Sequence, residues 1–492
     1  MSKNSLVISF LFVVLTAFHL VATWGQSAAH VIPDEISYLA QARYFAGKDI
    51  TPDTKSVIEN ESYLAGTENI PSTENWPYYH FGYSLLISPI YWLTDTPTSS
   101  YKGIMLVNSF MLSSLFLIIY AWLRMISKID NKTAIIIAFV TALYPAYVLQ
   151  AHIGWAENAF IPGFALSCLL FTRHLKVSSI YTVTVFAIIA GFQFTIHPRG
   201  LAVAIAAIIC LAAIALTHKE QRQTSIIGLL TVIGVILATK VTTNEMAIIM
   251  NTVTQEERIS QKMPSILSLE LIPAILGNLF YLILSTLGVF LLGVTESIKQ
   301  IFFHNAKNIK TLICDKNTGT LLYAGIASGL TFFVGIFFLA QSSEWHNVAR
   351  NLDYFMYGRY NEGFLSIYIA LGLLWICRDY DQGIERFSRK LNVGFWLLVT
   401  LGLAFSLLLA DFSGLRAIHS FGLFPWSFLS LFGEGWLRIA PIFIAPLLWT
   451  FIVMQFFLQN KNKGLIAVGS YFFLLDISLI VYKTPNLQVL GG

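Results

Sequence analysis

The stretch His30-Val31-Ile32-Pro33-Asp34-Glu35-Ile36-Ser37-Tyr38-Leu39-Ala40-Gln41-Ala42-Arg43-Tyr44-Phe45-Ala46-Gly47-Lys48-Asp49 sets adjacent carboxylates at the start of a short helix, directly after an apolar run that can cross a bilayer. Pro33 starts a helix without losing a bonded N–H, because the first helical N–H has no intrahelical acceptor. Gly47 ends it, since glycine enters the left-handed conformation freely. Between them Ile36, Leu39, Ala40 and Arg43 follow the three-to-four residue spacing of one helix face, which predicts an amphipathic helix. Asp34 and Glu35 meet the unbonded N–H groups of its first turn, which favour the charged form. A water-facing enzyme site in a lipid-bound protein would begin at such a place.

Outward from this helix the chain is apolar. Of 492 residues, 56% are hydrophobic and 12% charged, against a charged share of roughly 25% in soluble domains. A helical span needs about 20 apolar residues, and backbone groups in lipid must bond within their own segment, so long apolar runs mean helices. The chain reads as an all-α, polytopic transmembrane bundle of about thirteen spans. They fall near 6–24, 103–124, 133–150, 157–173, 180–196, 200–217, 225–240, 271–294, 319–340, 363–377, 393–410, 439–459 and 464–482. Residues 1–492 form one integral membrane domain.

Alternation from an inside Met1 puts Arg124, Lys128, Lys132, Arg173, Lys176, Arg386, Arg389, Lys390, Lys461 and Lys463 in short inside loops, while acidic residues dominate outside. That is the positive-inside pattern. Residues 25–102 then form the first outer loop, carrying the amphipathic helix and a second apolar segment, Tyr78 to Leu93. Counting that segment as a span would move Arg124, Lys128 and Lys132 outside, so it reads as interfacial or re-entrant, its Tyr and Trp suiting the headgroup layer. Lys3 and the small residues Ser27-Ala28-Ala29 also fit a signal peptide. The apolar run is long for one and reads as an uncleaved first span.

Cys168, Cys210, Cys314 and Cys377 lie in spans or inside, so no disulfide is expected, and no Cys/His metal spacing occurs. No cofactor is expected, with a divalent metal left open. There is no Walker loop, GxGxxG fingerprint or internal repeat, and the formal charge of +4 belongs to the inside face, which speaks against nucleic acid as a partner.

The chemistry-bearing residues recur at the outer ends of spans. After Asp34 and Glu35 come Glu157 in Gln150-Ala151-His152-Ile153-Gly154-Trp155-Ala156-Glu157, then His197-Pro198-Arg199-Gly200, then Glu344-Trp345-His346, and last Asp353 with Tyr357-Gly358-Arg359-Tyr360-Asn361-Glu362. Charge at a span end in a short loop is not demanded by solubility alone, so one shared cavity is expected. Each residue also has a structural use. Asp34 and Glu157 can stabilise helix starts, His197 can be a bonded linker, and Arg199 and Arg359 can snorkel to headgroups.

Together these features resemble the GT-C glycosyltransferases. The resemblance rests on the apolar first span, the outer loop opening with Asp34-Glu35 and Tyr38, Gln41-Ala42-Arg43-Tyr44, the Pro/Tyr-rich re-entrant stretch and the multi-span bundle. It is nearest to the lipid-carrier-dependent members, such as the protein O-mannosyltransferases and the aminoarabinose transferases of lipid A. It covers residues 1–220, and 340–375 more weakly. It implies that the acidic pair Asp34 and Glu35 lies at the site with Glu157. The family's basic residue after the fifth span maps onto Arg199, and its late Arg-Tyr element onto Arg359-Tyr360. Tyr38, His80, His197 and Glu362 are further candidates for substrate contact. The family's Lys-Pro-Pro-Leu element reads here Trp76-Pro77-Tyr78-Tyr79-His80-Phe81-Gly82-Tyr83, so the acceptor side is expected to differ. The chain ends at Gly492 soon after its last span, which argues against the oligosaccharyltransferase branch.

The implied chemistry is sugar transfer from an undecaprenyl- or dolichyl-phosphate donor to a glycan, lipid or protein acceptor, with membrane lipids as further partners. Asp34 would act as general base and Arg199 and Arg359 would hold the donor phosphate. The alternative is a transporter or flippase of a lipid-linked or small polar substrate. Transporters place charge near the bilayer midplane and often show related halves, whereas here Asp476 is the main in-span charge. A polysaccharide polymerase would concentrate Arg in a late outer loop, and 411–438 holds only Arg416 and Arg438.

Overall fold

A computed structural model describes residues 3–23, 33–50, 78–249, 254, 271–303, 309–340, 357–378, 422, most of 446–456, and 460–481. Among the described residues the architecture is helical, apart from a single bridge between Tyr78 and Thr254. Helix α1 (Lys3–Thr23) leads through α2 (Pro33–Phe45) and α3 (Gly82–Leu93) to α4 (Pro97–Ile126), α5 (Asn131–Ala142), α6 (Pro145–Gln150) and α7 (Glu157–Lys176). Then come α8 (Ile180–Ile196), α9 (Gly200–Thr217), α10 (Arg222–Ile249), α11 (Leu271–Ser285), α12 (Val289–Phe303), α13 (Ile309–Cys314) and α14 (Lys316–Ala340). After a 3-10 turn at Gly358–Tyr360 follow α15 (Glu362–Arg378) and α16 (Lys461–Val481).

Five of these helices are long and apolar enough to cross a membrane, or six when the bent pair α11–α12 is one span. Their outward faces carry Phe10, Leu216, Leu230 and Leu237, all well exposed, as a lipid-facing surface would. The protein is therefore an integral membrane protein. Helices α7, α8, α9 and α10 pack in succession, α4 and α15 lie against α7, and α12 pairs with α15. Without a hydrophobic drive between helices in lipid, close approach supplies the cohesion. Gly191 of α8 lies on Val235, and Gly228 of α10 lies on Val183.

Helix α2 forms where the sequence places it, and Gly47 closes it at φ +70°, with Lys48 N–H bonded to Arg43 O at 3.0 Å. It is not amphipathic in its setting, because Glu35 through Ala42 are all buried. The helix lies within the bundle end, packed on α3, rather than on a surface with one wet face. Helix α3, at 12 residues, is too short to span.

Two expected spans are broken. The 133–150 run divides at Leu143–Tyr144 because Pro145 lacks the N–H that would continue α5; Pro145 instead opens α6, whose side chains are all buried. The 271–294 run bends by 107° between α11 and α12. Leu287 (φ 53°) and Gly288 (φ 75°) both turn left-handed there, Gly288 N–H caps Ile283 O at 2.8 Å, and Thr286 Oγ1 accepts Phe290 N–H at 3.2 Å. Residues 393–410 and much of 439–459 lie outside the described residues.

Candidate active site

Side chains from distant parts of the chain meet at one end of this bundle. Asp34 stands in the first turn of α2, Glu157 begins α7, Arg199 forms the corner between α8 and α9, and Arg359 lies in the 3-10 turn before α15. Arg359 Nη2 donates to Asp34 Oδ2 at 2.6 Å and Arg359 Nε to Glu157 Oε1 at 2.8 Å, with a further bond from Nη2 to Glu157 Oε2 at 3.2 Å. Arg199 Nη2 reaches the same Glu157 Oε1 at 2.7 Å. A single carboxylate oxygen thus bridges both guanidinium groups.

Burial separates the members. The side chains of Glu157, Arg199 and Arg359 are 1%, 4% and 5% exposed, while that of Asp34 is 22% exposed. Buried ions persist only with further partners, and these have them. Arg199 Nη1 donates to Tyr360 O at 2.8 Å, and its guanidinium carbon lies 4.5 Å from the Tyr360 ring centre. Arg359 lies over Trp155 at 3.8 Å. Burial alone opposes the Arg359 charge, but Glu157 and Asp34 outweigh it and hold its pKa well above the ordinary value.

The corner that carries Arg199 is built by its neighbours. Gly200 packs on the Gln193 carbonyl so closely that a Cβ would overlap the backbone. His197 Nδ1 accepts from both the backbone N–H (3.1 Å) and the Nε of Arg199 (3.2 Å), which requires that nitrogen to be unprotonated. Burial, then the charges of Arg199 and Arg359, lower its pKa well below the usual value and keep the ring neutral.

Around Asp34 the aromatic residues supply neutral donors. Tyr79 hydrogen-bonds Asp34, and burial together with that carboxylate raises the phenol's pKa and keeps it protonated. The Tyr38 hydroxyl is buried without a hydrogen-bond partner, and burial followed by the carboxylates of Glu157 and Asp34 keeps it protonated as well.

The remaining sequence candidates are engaged elsewhere. Glu35 Oε1 accepts from Tyr101 Oη at 2.7 Å and from Gly154 N–H at 2.6 Å, tying α2 to α4 and to the turn before α7. Glu362 takes Gln150 Nε2 at 2.7 Å and Tyr281 Oη at 2.5 Å, a polar knot that anchors the start of α15. His80 Nδ1 bonds the Phe194 carbonyl. Glu344, His346, Asp353, Arg416 and Arg438 lie outside the described residues. Among the described residues no group of three or more His, Cys, Asp or Glu is placed to hold a metal ion.

Sequence reasoning missed Trp155 as the platform under Arg359, although it stands in the quoted stretch before Glu157. It also missed Tyr79 as the partner of Asp34, because a Tyr/Trp-rich stretch reads as a headgroup belt. Tyr281 sits inside an apolar run with no signal to mark it. Chemically, the cluster can accept a proton at its one partly exposed carboxylate and hold an anion on its two fixed cations.

No protein-family model matches the chain, and no curated protein does. Among solved structures the chain is similar to ArnT from Cupriavidus metallidurans in the apo state, with a TM-score of 0.50 and 12% identity, over 100% of this chain and 77% of that one. For the same protein bound to undecaprenyl phosphate the values are 0.51 and 14%, with the same coverage. It is also similar to the arabinosyltransferase EmbB from Mycobacterium smegmatis, at 0.51 and 15%, over 96% of this chain and 41% of that one. At these identities the likeness is one of fold.

Proposed function

We propose that this membrane protein, which has the GT-C fold, transfers a sugar from an undecaprenyl- or dolichyl-phosphate donor to an acceptor hydroxyl on the extracytoplasmic face. The observation that carries the reading is the cluster of Asp34, Arg359, Glu157 and Arg199 at one end of the bundle, a proton acceptor beside two fixed cations. The likeness to an ArnT structure bound to undecaprenyl phosphate supports a polyprenyl-phosphate donor. In this reading residues 25–102 lie on the outer side of the membrane, and so does Asp34 in the first turn of α2.

In the transfer the acceptor oxygen attacks the anomeric carbon as its proton passes to Asp34. A new C–O bond forms while the bond from the anomeric carbon to the phosphate oxygen breaks, and the electron pair leaves with the carrier phosphate. Arg199 and Arg359 stabilise that leaving phosphate by their fixed positive charge; Arg199 acts at a distance, since its Nε, Nη1 and Nη2 already donate to His197, Tyr360 and Glu157. Glu157 keeps both guanidinium groups in place, and Tyr360 supplies its carbonyl and ring to Arg199. Tyr38 presents a hydroxyl donor to the substrate. A single displacement without a carboxylate-bound intermediate inverts the anomeric centre.

Positioned general-base catalysis is worth about 10²–10⁴-fold. Asp34→Asn should therefore fold and express normally but lose turnover by about that factor. The assay is release of carrier phosphate from a polyprenyl-phosphate sugar by the purified protein supplied with membrane extract as acceptor. Near wild-type turnover would remove Asp34 from the base role.

A further inference from the structure

Arg359 is fully engaged on the edge it turns to the cluster. Its Nε is held by Glu157 and its Nη2 by Asp34 and Glu157, so a phosphate that bonds Nη2 must displace one of these carboxylates. The two are unequal. Glu157 is almost completely buried and bonds both arginines, so displacing it would strand an ion away from water. Asp34, held by Arg359 Nη2, is 22% exposed and so can reach water when it is displaced.

We propose that the Asp34 carboxylate occupies, on Arg359, the position of the donor's phosphate, and that donor binding displaces it. The inference rests on the donor reading above and adds the order of events. Within the cluster, two arginines face two carboxylates. A sugar phosphodiester carries one negative charge, so exchanging it for Asp34 leaves the arginines and Glu157 balanced.

A carboxylate released from a guanidinium is a better proton acceptor than one held by it. Asp34 therefore becomes the base only once the donor is seated, and the acceptor hydroxyl is activated beside a bound sugar and not before. Tyr79, bonded to Asp34, remains as a tether on the freed side chain.

The test uses the full-length protein in lipid nanodiscs and undecaprenyl phosphate as the probe at about pH 5.5, where a phosphate monoester, with its second pKa about 6, carries mostly one negative charge as the donor's phosphodiester does. An internal competitor reduces apparent affinity by the fraction of time it leaves the site open. If Asp34 holds Arg359 about nine-tenths of the time, Asp34→Asn should bind the probe roughly tenfold more tightly than wild type. Unchanged or weaker binding overturns the exchange.

Removing a nearby negative charge also favours an anion without any exchange, so a second arm uses wild type alone. Asp34 is labelled with a water-soluble carbodiimide and an amine, and read by peptide mass spectrometry. Saturating probe should increase the labelling of Asp34, because the carboxylate is released. A decrease or no change overturns the exchange, even if Asp34→Asn binds tightly or fails to fold. A wild-type protein that does not bind undecaprenyl phosphate overturns the donor reading and this inference together, whereas wild-type binding without release overturns the inference alone.

Discussion

Arg359 acts through shape as much as charge. Its fork engages two carboxylates while its plane rests on Trp155, and a lysine reproduces neither feature. Arg359→Ala is the less informative variant, because leaving Glu157 without a full partner costs about 3–5 kcal/mol and confounds folding with function. Arg359→Lys keeps a positive charge beside Glu157. We expect it to retain a near wild-type melting temperature yet lose carrier binding or turnover almost as fully as Arg359→Ala. A fully active Lys variant would reduce Arg359 to a headgroup anchor. The charged members of the cluster were legible at this scale because each stands at a span end, where solubility does not require a charge. The division of labour between Asp34 and Glu35 was not. Adjacent helix positions differ by about 100°, and only the packed helix shows that one meets Arg359 while the other meets Tyr101 and Gly154.

Elements place these residues through their ends. Arg199 owes its position to the corner between α8 and α9, where Gly200 rests on backbone atoms of Gln193 that cannot move aside as a side chain would. Overpacking of this kind costs about 1–3 kcal/mol. Gly200→Ala should therefore lower the melting temperature and reduce turnover together, without any charge having changed; a stable, fully active variant would show that the corner tolerates rearrangement. Among the broken spans, the division at Pro145 has a sequence signal, a proline inside an apolar run, which the reading of 133–150 as one span passed over. The 107° bend at Leu287–Gly288 was not, because Leu287 is a residue that rarely turns left-handed and a run of even hydropathy passes straight through it. That bend sets the start of α12, which pairs with α15, and α15 follows directly from the turn that holds Arg359.

The whole molecule follows from where its charges and apolar runs fall. Composition points to a helical membrane protein, and from the positive-inside pattern we propose an orientation with 25–102 outside. Cysteines introduced at Ser72, outside the described residues, and at Ser99, at the start of α4, should both react with an impermeant thiol reagent added from outside. Reaction of Ser99→Cys only from the inside would make α3 part of a crossing and invert everything after it. We propose that the arginine cluster serves a sugar carried on a polyprenyl phosphate. The most direct test is mass spectrometry of carrier lipids and envelope glycans in cells with the protein, without it, and with only Asp34→Asn. The deletion and the variant should both accumulate one polyprenyl-phosphate sugar and lose that same sugar from one envelope glycan, lipid or protein. Carrier lipids and acceptors unchanged in the deletion would contradict it.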